Sequence, residues 1–311
     1  MRARPFDNVG MTTANAGLPR LDVYTIRLFI AVGEEGSIAR AAERESIAAS
    51  ALSRRLSDLE HALKVPLLVR SARGIELTDA GKYVFERGRQ IEQDLNRLVQ
   101  EIWSLGGAVA GTVRLYANPS SVIGYLPERL REFSDAYPDV SIELSEQRTR
   151  DVVRACLDDR ADVGVGVAMD VSKGLDSWRF ASDPLIVLMP PVHRLSGRTK
   201  VSFPEVLECG LVGLQFGGSL DRLMREAADA ARLSFRPKVT VDGFDAACRM
   251  VEAGLGVAIV PTSAAAAFAG SERFLRLELD EPWAARELLI YALQKQPRPR
   301  AVEALIAVLR R

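Results

Sequence analysis

Between Ser37 and Leu77 the chain places a short helix pattern, a turn, a long amphipathic helix and a Gly-tipped hairpin pattern one after another. Few folds accept that order. Ser37 stands where a helix N-cap belongs, its hydroxyl able to accept a first-turn N–H. Ala39, Ala41 and Ala42 follow, small helix formers that let a neighbouring helix come close. Glu45-Ser46 interrupts the apolar pattern and Ile47 is the lone apolar residue of the turn. Ala51, Leu52, Leu56, Leu59 and Leu63 then recur at helical spacing. Leu67-Leu68-Val69 and Ile75-Glu76-Leu77 read as short strands around Ser71 to Gly74, where Gly74 supplies the positive φ of a tight hairpin. Upstream, Ile26, Phe29, Ile30 and Gly33 mark a further helix from Asp22 to Gly36. The expectation is a winged helix-turn-helix.

The polar residues of this segment suit DNA. Ser50, Ser53, Arg54 and Ser57 fall largely off the apolar stripe of the second helix. An arginine there can pair with guanine or phosphate, and a serine with either. The expected contacts are Ser37, Ala49, Ser50, Ser53, Arg54 and Arg55, with Arg70 and Arg73 of the hairpin aimed at phosphates or a minor groove. An ordinary amphipathic helix with a solvated arginine face has the same pattern, and it is the hairpin that tips the reading towards DNA.

After Thr78, a helix cap followed by Asp79, apolar residues alternate at spacings of four and three: Val84, Gly88, Ile91, Leu95, Leu98, Ile102 and Leu105. That is a heptad seam with Gly88 as its weak position. Such a stripe needs a partner. The period of 3.5 favours a second copy over the chain's own core, and makes Val84, Ile91, Leu95, Leu98, Ile102 and Leu105 the expected dimer seam.

Gly106-Gly107 and Gly111 mark a boundary, beyond which strand and helix patterns alternate as in an α/β fold. Expected strands are 112–117, 141–146, 163–167, 185–189, 211–214, 238–241, 257–260 and 288–293. Expected helices are 120–136, with Pro127 a kink or restart, 149–158, 204–208, 220–232, 244–253 and 300–309. In open α/β sheets ligands sit beyond strand carboxyl ends, at helix starts. Three starts qualify: Asn118 to Ser121, Arg148-Thr149 and Phe216 to Ser219. Ser120, Ser121, Thr149, Gly217 and Ser219 are therefore the expected effector contacts, with Phe244 and Gly256 as additions, and the expected ligand is a carboxylate or similar small anion. For any single serine, plain N-capping is the commoner explanation, and it is the three starts together that favour a ligand site.

Composition excludes other classes. Forty-one basic and 41 acidic side chains give a formal net charge of +0, against a generic nucleic-acid coat but compatible with local positive charge. Two histidines, no Walker loop, no GxSxG and no metal-ligand cluster leave enzyme chemistry without its usual parts, so neither cofactor nor metal is expected. Cys156, Cys209 and Cys248 form no CxxC pair and read as small buried hydrophobes. Gly254 to Gly270 is the most apolar stretch, but Pro261, Thr262 and Ser263 interrupt it, so no membrane span is expected. Residues 1–20 lack an apolar core and read as a disordered extension rather than a secretory signal.

The segment around the helix-turn-helix resembles the LysR-type transcriptional regulators. Ala41-Ala42, Ala51, Ser53-Arg54, Leu59-Glu60, Leu63, Val65-Pro66-Leu67, Arg70, Gly74, Leu77-Thr78 and Gly81 carry the resemblance. Ala48-Ala49 depart from it, since many members have Ser-Gln there, as does Glu45, where many have Leu. An alanine cannot make the amide contact to adenine, but Ala49 can touch a thymine methyl. Further on, Leu126-Pro127, Phe133, Tyr137-Pro138, Asp162-Val163-Gly164 and Gly254 to Pro261 resemble the family's effector domain. The resemblance implies a fold of class α+α/β: a winged helix-turn-helix (21–78), a linker helix for dimerisation (79–106) and a two-lobed effector domain like a type 2 periplasmic binding protein (111–311). Lobe I would span about 111–182 and 281–311, and lobe II about 183–280. It implies a cytoplasmic homodimer or homotetramer that binds promoter DNA, answers to a small-molecule effector between the lobes and works with RNA polymerase.

Overall fold

In the computed structural model the described residues are 21–71, 74–105, 109–170, 173–214, 218–267, 273–295 and 297–311. The chain forms two compact units, the division falling after Val99. The expected extension 1–20, Arg73 and Gly217 lie outside the described residues, as do the side chains of Arg70 and Leu105.

The first unit opens with α1 (Val23–Glu35), α2 (Ile38–Arg44) and α3 (Ala49–Leu63). Asp22 caps α1, accepting the Thr25 N–H at 2.8 Å and the Thr25 hydroxyl at 2.6 Å. Those hydrogen bonds hold the Asp22 carboxyl below its ordinary value. Gly36 closes α1 in the left-handed region at φ 58°, and Ser37 opens α2 by accepting the Arg40 N–H at 3.5 Å. Leu28, Phe29 and Val32 of α1, Ala41 and Ala42 of α2, and Leu52, Leu56 and Leu59 of α3 form one buried core. Ala51, expected on that stripe, is exposed instead. Leu52, Leu56 and Leu59 occupy the inward line, and the preceding residue is turned about 100° away.

The wing is the antiparallel pair β1 (Leu68–Ser71) and β2 (Gly74–Leu77), with Leu68 opposite Leu77 and Gly74 at φ 124°. Glu60 anchors it from α3, one carboxylate oxygen accepting the N–H of Leu67 at 2.7 Å and of Leu68 at 3.1 Å. Thr78 donates to the Pro66 carbonyl at 2.8 Å and accepts the Gly81 N–H at 2.9 Å, which caps α4 (Asp79–Leu105). At Gly88 α4 closes on α1. A Cβ there would lie 2.7 Å from the Ile26 side chain and 3.3 Å from that of Ile30. Val84 and Phe85 pack on the unit's own core.

The second unit begins with β3 (Gly111–Ala117), α5 (Pro119–Gly124), α6 (Leu126–Ala136), β4 (Val140–Glu146), α7 (Thr149–Leu157), β5 (Val163–Val167) and β6 (Leu175–Ser182). Pro127 marks a restart, because the helix ends at Gly124 and begins again at Leu126. The chain continues with β7 (Leu185–Met189), β8 (Lys200–Val201), α8 (Phe203–Leu207), β9 (Val212–Leu214), α9 (Ser219–Ala230), β10 (Val239–Val241), α10 (Phe244–Glu252), β11 (Ala258–Pro261), α11 (Thr262–Ala266) and β12 (Leu275–Leu279). It returns through β13 (Glu287–Leu293) and closes on α12 (Arg300–Leu309). One lobe is the five-stranded sheet β4-β3-β5-β13-β6, in which β13 runs against β5 and β6. The other is the four-stranded sheet β11-β7-β12-β8, with the parallel pair β10-β9 attached by a parallel bridge from Leu211 to Val257. Strand β6 and the two-residue β8 carry no alternation clear enough to read from the sequence, whereas β12 alternates strictly as Leu275, Arg276, Leu277, Glu278 and Leu279 and is nonetheless absent from the expected strands. The chain passes between the lobes twice, at Asp183-Pro184 and between β12 and β13. Each lobe has its own core, one around Val187, Val260 and Leu277, the other around Leu115, Val165 and Leu305.

Candidate functional site

The first candidate is the outer face of α3. Leu52, Leu56 and Leu59 turn inward, which leaves Ala49, Ser50 and Arg54 exposed on one surface. Arg54 makes no ion pair among the described residues. Ser53 is half-buried, and Ser37 spends its hydroxyl on the α2 cap. Arg55 is tied to α1, donating to the Thr25 hydroxyl at 3.0 Å, 3.6 Å from the Asp22 carboxylate and 5.2 Å from the Tyr24 ring centroid. The wing brings Arg70 onto β1, and its backbone is held to α1 by the Ile75 N–H donating to the Gly36 carbonyl at 3.0 Å.

The expected seam on α4 divides in two. Val84 does not belong to an open face, because the missing side chain at Gly88 lets this end of α4 sink onto α1 and the core takes up Val84. From Ile91 onward the stripe is uncovered: Ile91, Leu95, Leu98 and Ile102 are 41, 38, 52 and 56% exposed.

The second candidate is a cavity of about 310 Å³ between the two lobes of the second unit. Ser120, Thr149, Ser219 and Phe244 of the expected residues line it, each within the first two residues of its helix. Ser121 does not. It is fully buried and its hydroxyl donates to Asn118 beneath the surface. Gly256 is also excluded. A Cβ there would lie 1.9 Å from the Gly210 carbonyl oxygen, so this glycine serves the close approach that bridges β9 to β11. Thr149 is buried, its hydroxyl accepting the Val167 N–H at 3.2 Å, which pins the start of α7 to the end of β5.

Arg286 also lines the cavity and carries no sequence signal, since it lies far along the chain in the second crossover. It donates to the Asp183 carboxylate at 2.5 Å, to the Asp183 carbonyl at 3.0 Å and to the Ser120 hydroxyl at 3.4 Å. Asp183 in turn accepts the Ser263 N–H at 3.0 Å, so one ion pair joins both crossovers to the wall of the cavity. Burial lowers the Arg286 pKa, with the Asp183 charge opposing it. Glu146, Arg148, Asp221, Asp242 and Asp245 complete the charged lining. Asp242 and Asp245 flank Phe244 at a strand-to-helix turn, so the rule that singles out the other helix starts applies to them as well. Among the described residues there is no cluster able to hold a metal, and no helix is long and apolar enough to cross a membrane.

Residues 24–82 match the model of bacterial regulatory helix-turn-helix proteins of the lysR family, and residues 106–311 match the LysR substrate binding domain. The chain is 25% identical over 293 residues to the HTH-type transcriptional regulator YbhD of Escherichia coli, covering 93% of this chain and 90% of that protein. It is 24% identical over 277 residues to the RuBisCO operon transcriptional regulator of Allochromatium vinosum, covering 89% and 91%. In fold it is similar to full-length CbnR solved in complex with its target DNA, with a TM-score of 0.72, 22% identity and coverage of 93% and 99%. A full-length OxyR from Pseudomonas aeruginosa gives a TM-score of 0.71 at 21% identity, covering 94% and 95%.

Proposed function

The chain belongs to the lysR family of bacterial helix-turn-helix transcriptional regulators, and from that membership we propose how its parts divide the work. Residues 21–78 bind promoter DNA, 79–106 pair two copies, and 111–311 bind the effector. Helix α3 enters the major groove, where Arg54 reads a base edge, Ser50 and Ser53 contact bases or phosphates, and Ala49 meets a thymine methyl. Arg70 and Arg73 of the wing hold phosphates, and Ser37 approaches the backbone from the start of α2. The observation that carries this reading is the exposed face of α3, on which Arg54 stands without an ion-pair partner among the described residues.

Two chains pair along Ile91, Leu95, Leu98 and Ile102, and dimers associate into a tetramer that spans two sites. A small effector in the interlobe cavity touches Ser120, Thr149, Ser219 and Phe244. It acts by its difference in affinity for two arrangements of the lobes, and the DNA-bound assembly then works with RNA polymerase in the cytoplasm. A mobility-shift assay on DNA upstream of the chain's own gene tests the core of this. Retardation that specific competitor removes and random DNA does not is expected. Equal competition by both would overturn it.

A further inference from the structure

The interlobe cleft holds two chambers of opposite charge. The first is the 310 Å³ cavity described above. The second, of about 260 Å³, shares Thr149, Ser219, Leu220 and Arg286 with it, so the two adjoin along those residues. Two of the charged groups already have partners. Asp221 is held by Arg225 at 2.9 Å, and Arg286 by Asp183. What is left over differs in sign. In the first chamber Glu146, Asp242 and Asp245 make no ion pair among the described residues and face only one uncommitted guanidinium, that of Arg148. In the second, Arg150 and Arg222 make no ion pair and stand against a single carboxylate, Glu226, among the described residues.

A cleft with low-dielectric walls concentrates such fields, and an occupant of one sign would leave one chamber facing a like or unmatched charge. We propose that the effector is an amino-acid-type zwitterion, its ammonium or guanidinium end in the first chamber by Asp242 and Asp245 and its carboxylate in the second by Arg150 and Arg222. Thr149 and Ser219, at the starts of α7 and α9, flank the middle of the ligand. The cavity lies at the small end of the range for ligand sites, which suits a single metabolite of this class. The assignment rests on the regulator reading given above and narrows its effector from a simple anion to a bipolar one.

Calorimetric titration of the full chain tests it. The probes are the proteinogenic amino acids, 4-aminobutanoate and 6-aminohexanoate. Each is matched with the amine that lacks its carboxylate and the carboxylic acid that lacks its amine. At least one zwitterion should bind, and both of its matched analogues should bind roughly tenfold more weakly or worse, a loss of about 1.4 kcal/mol. Asp242→Asn with Asp245→Asn should weaken the zwitterion without weakening the matched acid. Arg150→Gln with Arg222→Gln should weaken both. These four side chains are on the cleft surface, and circular dichroism verifies that each variant is folded. A plain acid or plain amine that binds as tightly as its zwitterion overturns the proposal, as does unchanged affinity for the zwitterion in either double variant, or no binding by any probe. The same wild-type preparation is assayed for operator binding. Retention of specific DNA binding confines any such failure to the effector class, whereas its loss would fall on the regulator reading itself.

Discussion

Single side chains in this protein divide into those spent on the fold and those left for a partner. Arg54 and Arg55 are neighbours in sequence, yet Arg55 is bound to the start of α1 while Arg54 is not. Arg54→Ala should therefore weaken specific operator binding by about 1–3 kcal/mol and relax preference at one base, measured by competition with operator variants. A uniform loss across all sequences would make Arg54 a phosphate contact instead. The cysteines divide in the same way. Burial pushes the Cys156 thiol up to about 12 and the Cys248 thiol up to about 11. Both raised values leave the thiol protonated through neutral pH, and both side chains are enclosed. Cys209 is half-buried. Titration of the native protein with a thiol reagent at neutral pH should label Cys209 alone, the other two reacting only on unfolding. Rapid labelling of Cys156 or Cys248 in the native state would show that their cores open.

At the scale of elements, α4 changes partner along its length. Its first turns are held by the Thr78 cap and by the α1 contact at Gly88, while Ile91, Leu95, Leu98 and Ile102 face outward. Exposed apolar residues at coiled-coil spacing lose little in the lone chain and gain on pairing. Leu95→Asp should abolish association at low micromolar concentration, because pairing would bury an unpaired carboxylate. Val84→Ala should instead cost about 1–3 kcal/mol of stability in the first unit and leave the mass unchanged. Light scattering and urea denaturation separate the two. A Leu95→Asp variant that keeps the wild-type mass would remove this stripe from the dimer.

For the whole molecule, the question is how the cavity reports to the rest of the second unit. The Asp183–Arg286 pair reaches the Ser120 hydroxyl on one side and the Ser263 N–H on the other, so a ligand at Ser120, as proposed, would bear directly on both crossovers. Ser120→Ala combined with Thr149→Val removes both hydroxyls of the five-stranded lobe from the cavity and should abolish the effector-dependent change in the DNA footprint. Differential affinities of about 1–3 kcal/mol are typical of such coupling, enough for the loss to be visible in a footprint titration. A double variant that responds at the wild-type effector concentration would put the effector elsewhere.

The helices of the first unit, the caps at Ser37 and Thr78, and the turn at Gly74 were readable from residue order, because capping, periodicity and turn chemistry act over a few neighbouring residues. The strand-to-helix turns that line the cavity were readable for the same reason, and Ser120, Thr149 and Ser219 followed from them. Other assignments needed the third dimension. Ser120 and Ser121 have the same local pattern, both are buried and both bond to Asn118, and only packing brings Ser120 also to Arg286 and the cavity wall. Val84 continues the heptad of Ile91, but the approach of α1 at Gly88 decides that it is core. Gly256 has the marks of a ligand loop, but the Gly210 carbonyl claims the space beside it. Arg286 joins Asp183 and Ser120 across long stretches of chain, and a contact of that kind leaves no trace in local sequence. Periodicity can say which way a residue faces along its own element, but which element lies opposite is settled only when the chain closes on itself.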